Sequence, residues 1–501
     1  MSGAVRFVDT TLRDGQQSLW ALGMRLDMVA PLLADLDSAG FDGAEYLVPT
    51  TQFVRSVKQL GEDPWPWVRL GPERVRSTPL RITGGGRSYF SAVPACVEEL
   101  LLVRLSDLGY STTRISDPWN DFSTMSADLD RFARHGFRVV LNVIYTVSPR
   151  HTVDYYRQRV RDAVALAPFR ICFKDVGGLL TPEVAREILP MVVAEARDIP
   201  VEFHAHCNNG FAPYCALVAA ESGIRVLHAA IPPLANGSSQ PSIVTLASNL
   251  RARGFDVDID LAPVERISRH LESVATESKL PRGAPLEYDE ALYRHQTPGG
   301  MISNLRLHLG QVGMADQLDA TLLEAARVRA DLGYPVMVTP LSQYVGAQAA
   351  LNVMSGERYT VVTDEVIGYA LGRWGREALE VIDPEVRARI LASPRAREIA
   401  AAIDRPHEEP SLEEVRSRYG SSTSDEELVL RVLTGATGEE IARLRRTPPP
   451  ADYEAYRRKY HPLIRLVERV LASGDLDSFE YRDGSSELVL ERGGTASGRQ
   501  L

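Results

Sequence analysis

The feature that most restricts the fold is an alternation running from Val5 to about Val244. Eight strand-like runs, VRFVDTTL, GAEYLV, LRITGG, STTRIS, RVVLNVIY, FRICFKD, VEFHAH and VLHAAIPP, are mostly separated by helical stretches. Strands and helices taking turns over roughly 250 residues predict a (β/α)8 TIM barrel, with an open doubly wound sheet as the alternative. The count of eight, and polar residues gathered just after strand ends, favour the barrel. Such barrels do their chemistry at the mouth formed by the C-terminal strand ends. That rule gathers Asp14, Lys174, His204 and His206 around one opening.

The densest chemistry lies between Phe169 and Gly210, FRICFKDVGGLLTPEVAREILPMVVAEARDIPVEFHAHCNNG. One strand ends in Lys174 and Asp175, a helix opens at Thr181-Pro182-Glu183, and a second strand ends in His204 and His206. Side chains alternate along a strand, so residues 204 and 206 share a side. Two imidazoles there are placed to share one cation; polar residues merely lining a barrel are the blander reading. The first turn, DTTLRDGQQSLWALGMR, offers Asp9, Arg13, Asp14, Gln16 and Gln17 beside the same opening. A carboxylate from it supplies the anionic ligand that two neutral imidazoles lack. Arg13 either faces charge developing on a polarised oxygen or forms a barrel-end salt bridge with Asp9 or Asp14.

Lysine usage adds a second pointer. Of 56 basic residues only Lys58, Lys174, Lys279 and Lys459 are lysines. Four lysines must fall somewhere, yet one at a strand end in so arginine-rich a chain suggests chemistry arginine cannot do. A neutral amine capturing CO2 to become a carbamate is such chemistry. The triple glycine Gly84-Gly85-Gly86 lacks both G-x-G-x-x-G spacing and a P-loop lysine, so it reads as backbone room near the mouth.

At 501 residues the chain exceeds one ordinary core. A net charge of −10 argues against general nucleic-acid binding. Four cysteines without C-x-x-C spacing indicate neither a disulfide framework nor a zinc ribbon. No apolar run approaches the ~18 residues of a membrane span, and no signal-peptide pattern opens the chain, so cytoplasm is the expected location. From about Asp260 helix follows helix, with S/T-x-x-E capping boxes expected at Thr321/Glu324, Ser411/Glu414, Ser424/Glu427 and Thr437/Glu440. Linkers are expected at RPHEEPS and RTPPPADY. The expected organisation is a barrel over residues 1–305, a mostly α-helical C-terminal domain over 306–460, and a helix-plus-hairpin tail over 461–501.

The motifs DTTLRDGQQS, EDPW, FKDVGGLLTP, HAH, SQPS, HQTPGGMISNL and VTPLSQYVGAQAALNVMSGERY, in this order, cover most of the chain. It resembles the biotin-dependent carboxyltransferase family of pyruvate carboxylase, the oxaloacetate decarboxylase alpha chain and the transcarboxylase 5S subunit. The resemblance implies that Asp14, His204, His206 and a carbamylated Lys174 bind a divalent metal, Zn2+, Mn2+ or Co2+. It assigns Arg13 and Gln17 to the substrate, and Thr339 to shuttling a proton between biotin and an enolate. Thr83, Arg81, Tyr89, Phe90, Ser342 and Gln343 fall on its substrate and biotin pocket. It implies a homodimer or higher assembly.

Three departures bear on substrate and partners. Pyruvate-using members carry L-L-R-G-A-N where this chain has RITGGG, so Thr83 stands where an arginine grips the substrate carboxylate. Arg81 or Arg87 would replace it only with a shift of strand or loop. The expected substrate is therefore another small oxo acid or ketone with an enolisable carbonyl, the family default being pyruvate or oxaloacetate. HAHCNN likewise differs from the usual HTHDT. No A-M-K-M biotin-attachment site is present, so biotin is expected on a separate biotin carboxyl carrier protein, with a biotin carboxylase subunit as second partner. Residues 461–494 resemble, more weakly, the opening of carrier subunits, and are a candidate docking segment. The competing reading is a metal-dependent aldolase or a Claisen-type lyase or synthase, such as HMG-CoA lyase or isopropylmalate synthase. That family shares DTTLRDG and H-x-H but has no use for a lysine carbamate or the Thr339 segment. A non-catalytic scaffold is a third reading, opposed by the intact set of metal-ligand positions.

Overall fold

The computed structural model describes residues 3–84, 93–297, 302, 305–306, 309–311, 313–338, 340–403, 409–446, 454–473, 478–483, 486–491 and 497–500. All eight expected runs form strands: β1 Arg6–Asp9, β2 Gly43–Leu47, β3 Leu80–Thr83, β4 Thr112–Ile115, β5 Arg138–Ile144, β6 Arg170–Asp175, β7 Val201–Ala205 and β8 Val226–Ala229. They close into a barrel in sequence order, every neighbouring pair parallel and β1 joined to β8. The TIM barrel is thus the fold, with the mostly helical remainder behind it in sequence.

Register determines which side chains meet. Ile144 pairs with Lys174 and Lys174 with His204, while one inward step lower Asn142 pairs with Cys172 and Cys172 with Glu202. Alternation therefore sends Lys174 and His204 inward at one level and Cys172 and Glu202 inward at the level below. Around the outside, the helix Pro182–Ala196 shows how the sequence builds the second layer. Thr181 caps it by accepting from the Val184 N–H, Pro182 pre-sets its first turn, and Ala185, Ile188, Leu189, Val192 and Ala196 form its buried face.

The C-terminal helices divide between two cores. Val328, Leu332, Leu341, Val345, Val366, Ile367, Tyr369 and Ile390 cluster around Trp119, which comes from the segment after β4. Arg329 donates to Val147 O (3.1 Å) and Thr146 Oγ1 (3.1 Å) after β5, so this unit docks beside the barrel mouth. The helices Leu412–Tyr419, Asp425–Thr434 and Gly438–Arg445 instead join the barrel's own hydrophobic core through Val415, Leu428, Val429, Leu430 and Ile441. Trp65 secures them, its ring against Phe53 at 5.4 Å and its Nε1–H donating to Glu426 O at 3.0 Å. Trp65→Ala is expected to cost about 3–5 kcal/mol. Calorimetry should show a lower Tm, and limited proteolysis faster cutting within 409–446; an unchanged Tm would contradict this packing.

Ser411/Glu414 and Thr437/Glu440 form capping boxes, and Ser424 caps its helix through the Glu427 N–H. Thr321/Glu324 does not: that helix already begins at Leu318, and the Thr321 hydroxyl donates back to Gln317 O (2.8 Å). The expected tail helix is Pro462–Ser473, followed by β9 Ser478–Asp483 and β10 Ser486–Glu491, with an unanticipated third strand, β11 Ser497–Gln500, in one antiparallel sheet. Among the described residues no helix is long and apolar enough to cross a membrane. Most of both expected linkers lies outside the described residues.

Candidate metal centre at the barrel mouth

Asp14 sits in the single helical turn Thr11–Gly15 that leaves β1, and its Oδ2 meets His204 of β7 and His206 just beyond that strand's end. His204 Nε2 lies 3.3 Å and His206 Nε2 3.7 Å from it, and the three ligand atoms fall within 4.8 Å of one another. All three side chains are buried. His206 Nδ1 lies 2.7 Å from Ser238 O. A carbonyl can only accept, so Nδ1 carries a proton, and in the neutral ring Nε2 turns a bare lone pair toward Asp14. An unprotonated nitrogen beside an ionised carboxylate is unfavourable unless a positive centre lies between them. That donor set of two imidazoles and one carboxylate suits Zn2+, Mn2+ or Co2+.

Electrostatics favour the metal-binding forms of Asp14 and His204. Burial would raise the Asp14 carboxyl, but the Arg13 guanidinium, 2.6 Å away, holds it well below the usual range. Burial keeps His204 far below its ordinary value and hence neutral. Arg13 also donates through Nε to Glu45 Oε2 (2.8 Å), and Arg114 Nη2 stands 2.7 Å from Glu45 Oε1 and 3.9 Å from Asp14 Oδ2. Burial opposes ionisation of Glu45, yet Arg114 and Arg13 bring it down to about 2. Two guanidiniums and two carboxylates thus balance inside the barrel, the arrangement under which buried charge is tolerated.

Lys174, paired with His204 in the strand register, is partly buried. Burial pushes its ammonium down to about 7, Arg114 adding to the shift and Asp14 opposing it. A neutral amine is therefore accessible near neutral pH, as carbamate formation requires. Gln240 completes the cluster, its Nε2 lying 3.1 Å from His206 Nε2 and 3.4 Å from His204 Nε2 while its Oε1 accepts from Thr10 Oγ1 (2.8 Å).

Arg13, Asp14, Lys174, His204 and His206 are brought together; other residues expected at the site are placed differently. Gln17 is exposed on the helix Gln16–Trp20. Thr83 ends β3, and its buried hydroxyl finds no partner among the described residues. Arg81 lies lower in the barrel, its Nη1 2.9 Å from both oxygens of Glu202 and its Nη2 3.2 Å from Asp42. Ser342 is buried without a partner for its hydroxyl among the described residues, and Gln343 is exposed. Tyr89, Phe90, Arg87 and Thr339 lie outside the described residues.

Sequence reasoning missed Glu45, Arg114, Glu202, His228 and Gln240. For the first four the available signal was a charged or imidazole side chain within strands that a covered parallel sheet should make apolar; Gln240 lies after β8, outside any strand. Glu202 also shares parity with the two histidines it precedes.

Residues 292–481 match the family described as a conserved carboxylase domain, and residues 135–271 match the one described as HMGL-like. A pyruvate carboxylase subunit from Methanocaldococcus jannaschii is 35% identical over 391 residues, 77% of this chain and 68% of that one. The 2-oxoglutarate carboxylase large subunit of Hydrogenobacter thermophilus is 29% identical over 436 residues, 86% and 67% of the two chains. The solved carboxyl transferase domain of Rhizobium etli pyruvate carboxylase has the same fold, with a TM-score of 0.76 over 99% of this chain and 83% of that one, at 22% identity. The first of these identities runs along most of a carboxylase polypeptide, and the carboxylase domain is matched beyond the barrel. Together they decide among the three readings left open by the sequence: the chain is an enzyme of the biotin-dependent carboxyltransferase family.

Proposed function

We propose that this chain moves a carboxyl group between carboxybiotin, delivered by a separate carrier protein, and the enolate of a small carbonyl compound. The observation that carries the reading is the convergence of Asp14, His204 and His206, with Lys174 in register beside them. A divalent cation held by these three, with a Lys174 carbamate as fourth ligand, supplies Lewis acidity that makes the carbon next to a carbonyl acidic. Arg13 places a fixed positive charge where the enolate oxygen becomes negative. Thr339 gives its hydroxyl proton to the biotin nitrogen as the N–CO2 bond breaks, and regains a proton from the substrate carbon. That carbon then attacks the released CO2, so substrate C–H and carboxybiotin become carboxylated product and biotin N–H. The test is to supply purified chain with free carboxybiotin and a panel of acceptors, and to look for metal-dependent product; no transfer to any enolisable carbonyl would count against it.

The relatives are named for pyruvate and 2-oxoglutarate, both 2-oxo acids. Thr83 at the end of β3 supports a substrate other than pyruvate, another oxo acid or a ketone. Thr83→Arg is expected to raise kcat/KM for pyruvate roughly tenfold to a hundredfold, the value of a charge-assisted carboxylate contact of about 1.5–3 kcal/mol. Efficient pyruvate turnover by the unaltered chain would remove the idea.

The M. jannaschii relative is named as one subunit of its enzyme, which supports carrier and biotin carboxylase partners. The proposed setting is the cytoplasm and the proposed state a homodimer or higher assembly. Residues 461–494 are the proposed docking segment. Arg465 fixes its helix to the barrel helix Leu261–Ser278 through Glu277 at 3.2 Å. Deleting 461–501 should abolish co-purification with a tagged carrier; an intact complex would refute this.

An aldolase or Claisen-type lyase draws support from the HMGL-like match, but that match is confined to residues 135–271. The carboxylase match over 292–481 extends behind the barrel and includes the Thr339 segment.

A further inference from the structure

Below the proposed metal ligands lies a second buried group, Cys172, Glu202 and His228, whose ligand atoms also fall within 4.8 Å of one another. Its surroundings argue against a second cation. Both Glu202 oxygens are already held, by Arg81 Nη1 (2.9 Å to each), by Arg170 Nη1 (2.8 Å to Oε1) and by His228 Nε2 (2.9 Å to Oε2). The Cys172 sulfur stands 4.0 Å from Arg114 Nη1, and burial keeps its thiol protonated, pushed up to about 12. A metal would have to enter among three guanidiniums.

The hydrogen-bond order assigns the group another task. Guanidiniums only donate, so Arg81 and Arg170 hold Glu202 as an ionised acceptor, and the proton in its contact with His228 belongs to His228 Nε2. A neutral imidazole with a proton on one nitrogen is bare on the other. His228 Nδ1 is then an acceptor, and it lies 3.0 Å from His204 Nδ1. Two bare nitrogens at that distance would repel, so the proton between the rings belongs to His204. Its Nε2, the atom facing Asp14 at 3.3 Å, is left with a free lone pair.

We infer that Glu202 and His228 form a relay that fixes the tautomer and orientation of His204, making His228 a positioning residue for the metal centre. The relay does for His204 what the Ser238 carbonyl does for His206. It spans β7 and β8 in the barrel interior, which explains a buried imidazole in the eighth strand.

The inference rests on the metal reading of Asp14, His204 and His206, and its test separates the two. In metal-free full-length protein labelled with 15N-histidine, ring-nitrogen NMR should show His204 protonated at Nδ1 and bare at Nε2. Protonation at Nε2 would overturn the relay. With Co2+ as the probe, His228→Leu should bind about 10–100-fold more weakly. His228→Gln offers a donor and an acceptor in the same order and should recover most of the loss. Unchanged Co2+ affinity in His228→Leu would overturn the inference. Failure of the unaltered protein to bind Co2+ would instead remove the metal reading, and if His228→Leu does not fold the NMR result still decides.

Discussion

Asp14→Asn is expected to abolish carboxyl transfer, by about a thousandfold or more, while the chain still folds. Asp14 is the sole carboxylate among the three converging side chains, and an amide oxygen in its place carries no charge to balance a cation. Lewis-acid activation of a carbonyl is worth several kcal/mol. At 1.36 kcal/mol per tenfold, about 4 kcal/mol corresponds to the thousandfold loss. The fold should survive because Arg13 keeps Glu45 as an ion-pair partner when Asp14 loses its charge. The check is transfer from free carboxybiotin alongside Tm by calorimetry. Retained activity with an unchanged Tm would show that the Asp14 carboxylate takes no part.

Lys174→Arg is the second large loss, at least a hundredfold if one ligand contributes about 3 kcal/mol of the stabilisation lost with the metal. Size and charge are nearly kept, but a guanidinium does not deprotonate and cannot capture CO2. The unaltered protein equilibrated with 13C-bicarbonate should show one carbamate signal by 13C NMR that Lys174→Arg lacks. The sign of the pH dependence follows from the depressed amine. As pH falls through about 7 the amine takes up a proton and carbamate is lost; as pH rises through it, the neutral amine and the carbamate return. Raising CO2 should therefore restore activity most on the acid side. An active Lys174→Arg protein would contradict the carbamate.

The legible and illegible parts of this site differ for a physical reason. His204 and His206 could be matched from sequence because the two-residue period of a strand is local, and the barrel could be inferred because its alternation is local too. Glu45 and Arg114 meet only when β2 and β4 are brought into one closed sheet, and no spacing along the chain encodes that pairing. Arg81 illustrates the same point. It shares parity with Thr83 and so points inward, but one inward step lower it finds Glu202 across the barrel and is committed there instead of at the mouth. Thr321 failed as a cap because the S-x-x-E pattern fixes a spacing without fixing where the helix starts, and Leu318 starts it a turn earlier.

The proposed cation at Asp14, His204 and His206 is the feature on which everything else depends, and the most direct measurement is the metal content of the extensively dialysed protein by plasma mass spectrometry. About one equivalent of Zn, Mn or Co per chain is expected in the unaltered protein, with a near-complete loss in a His204→Ala/His206→Ala double variant that remains folded. A folded, unaltered protein that transfers carboxyl groups yet carries no divalent metal, and takes none up, would contradict it.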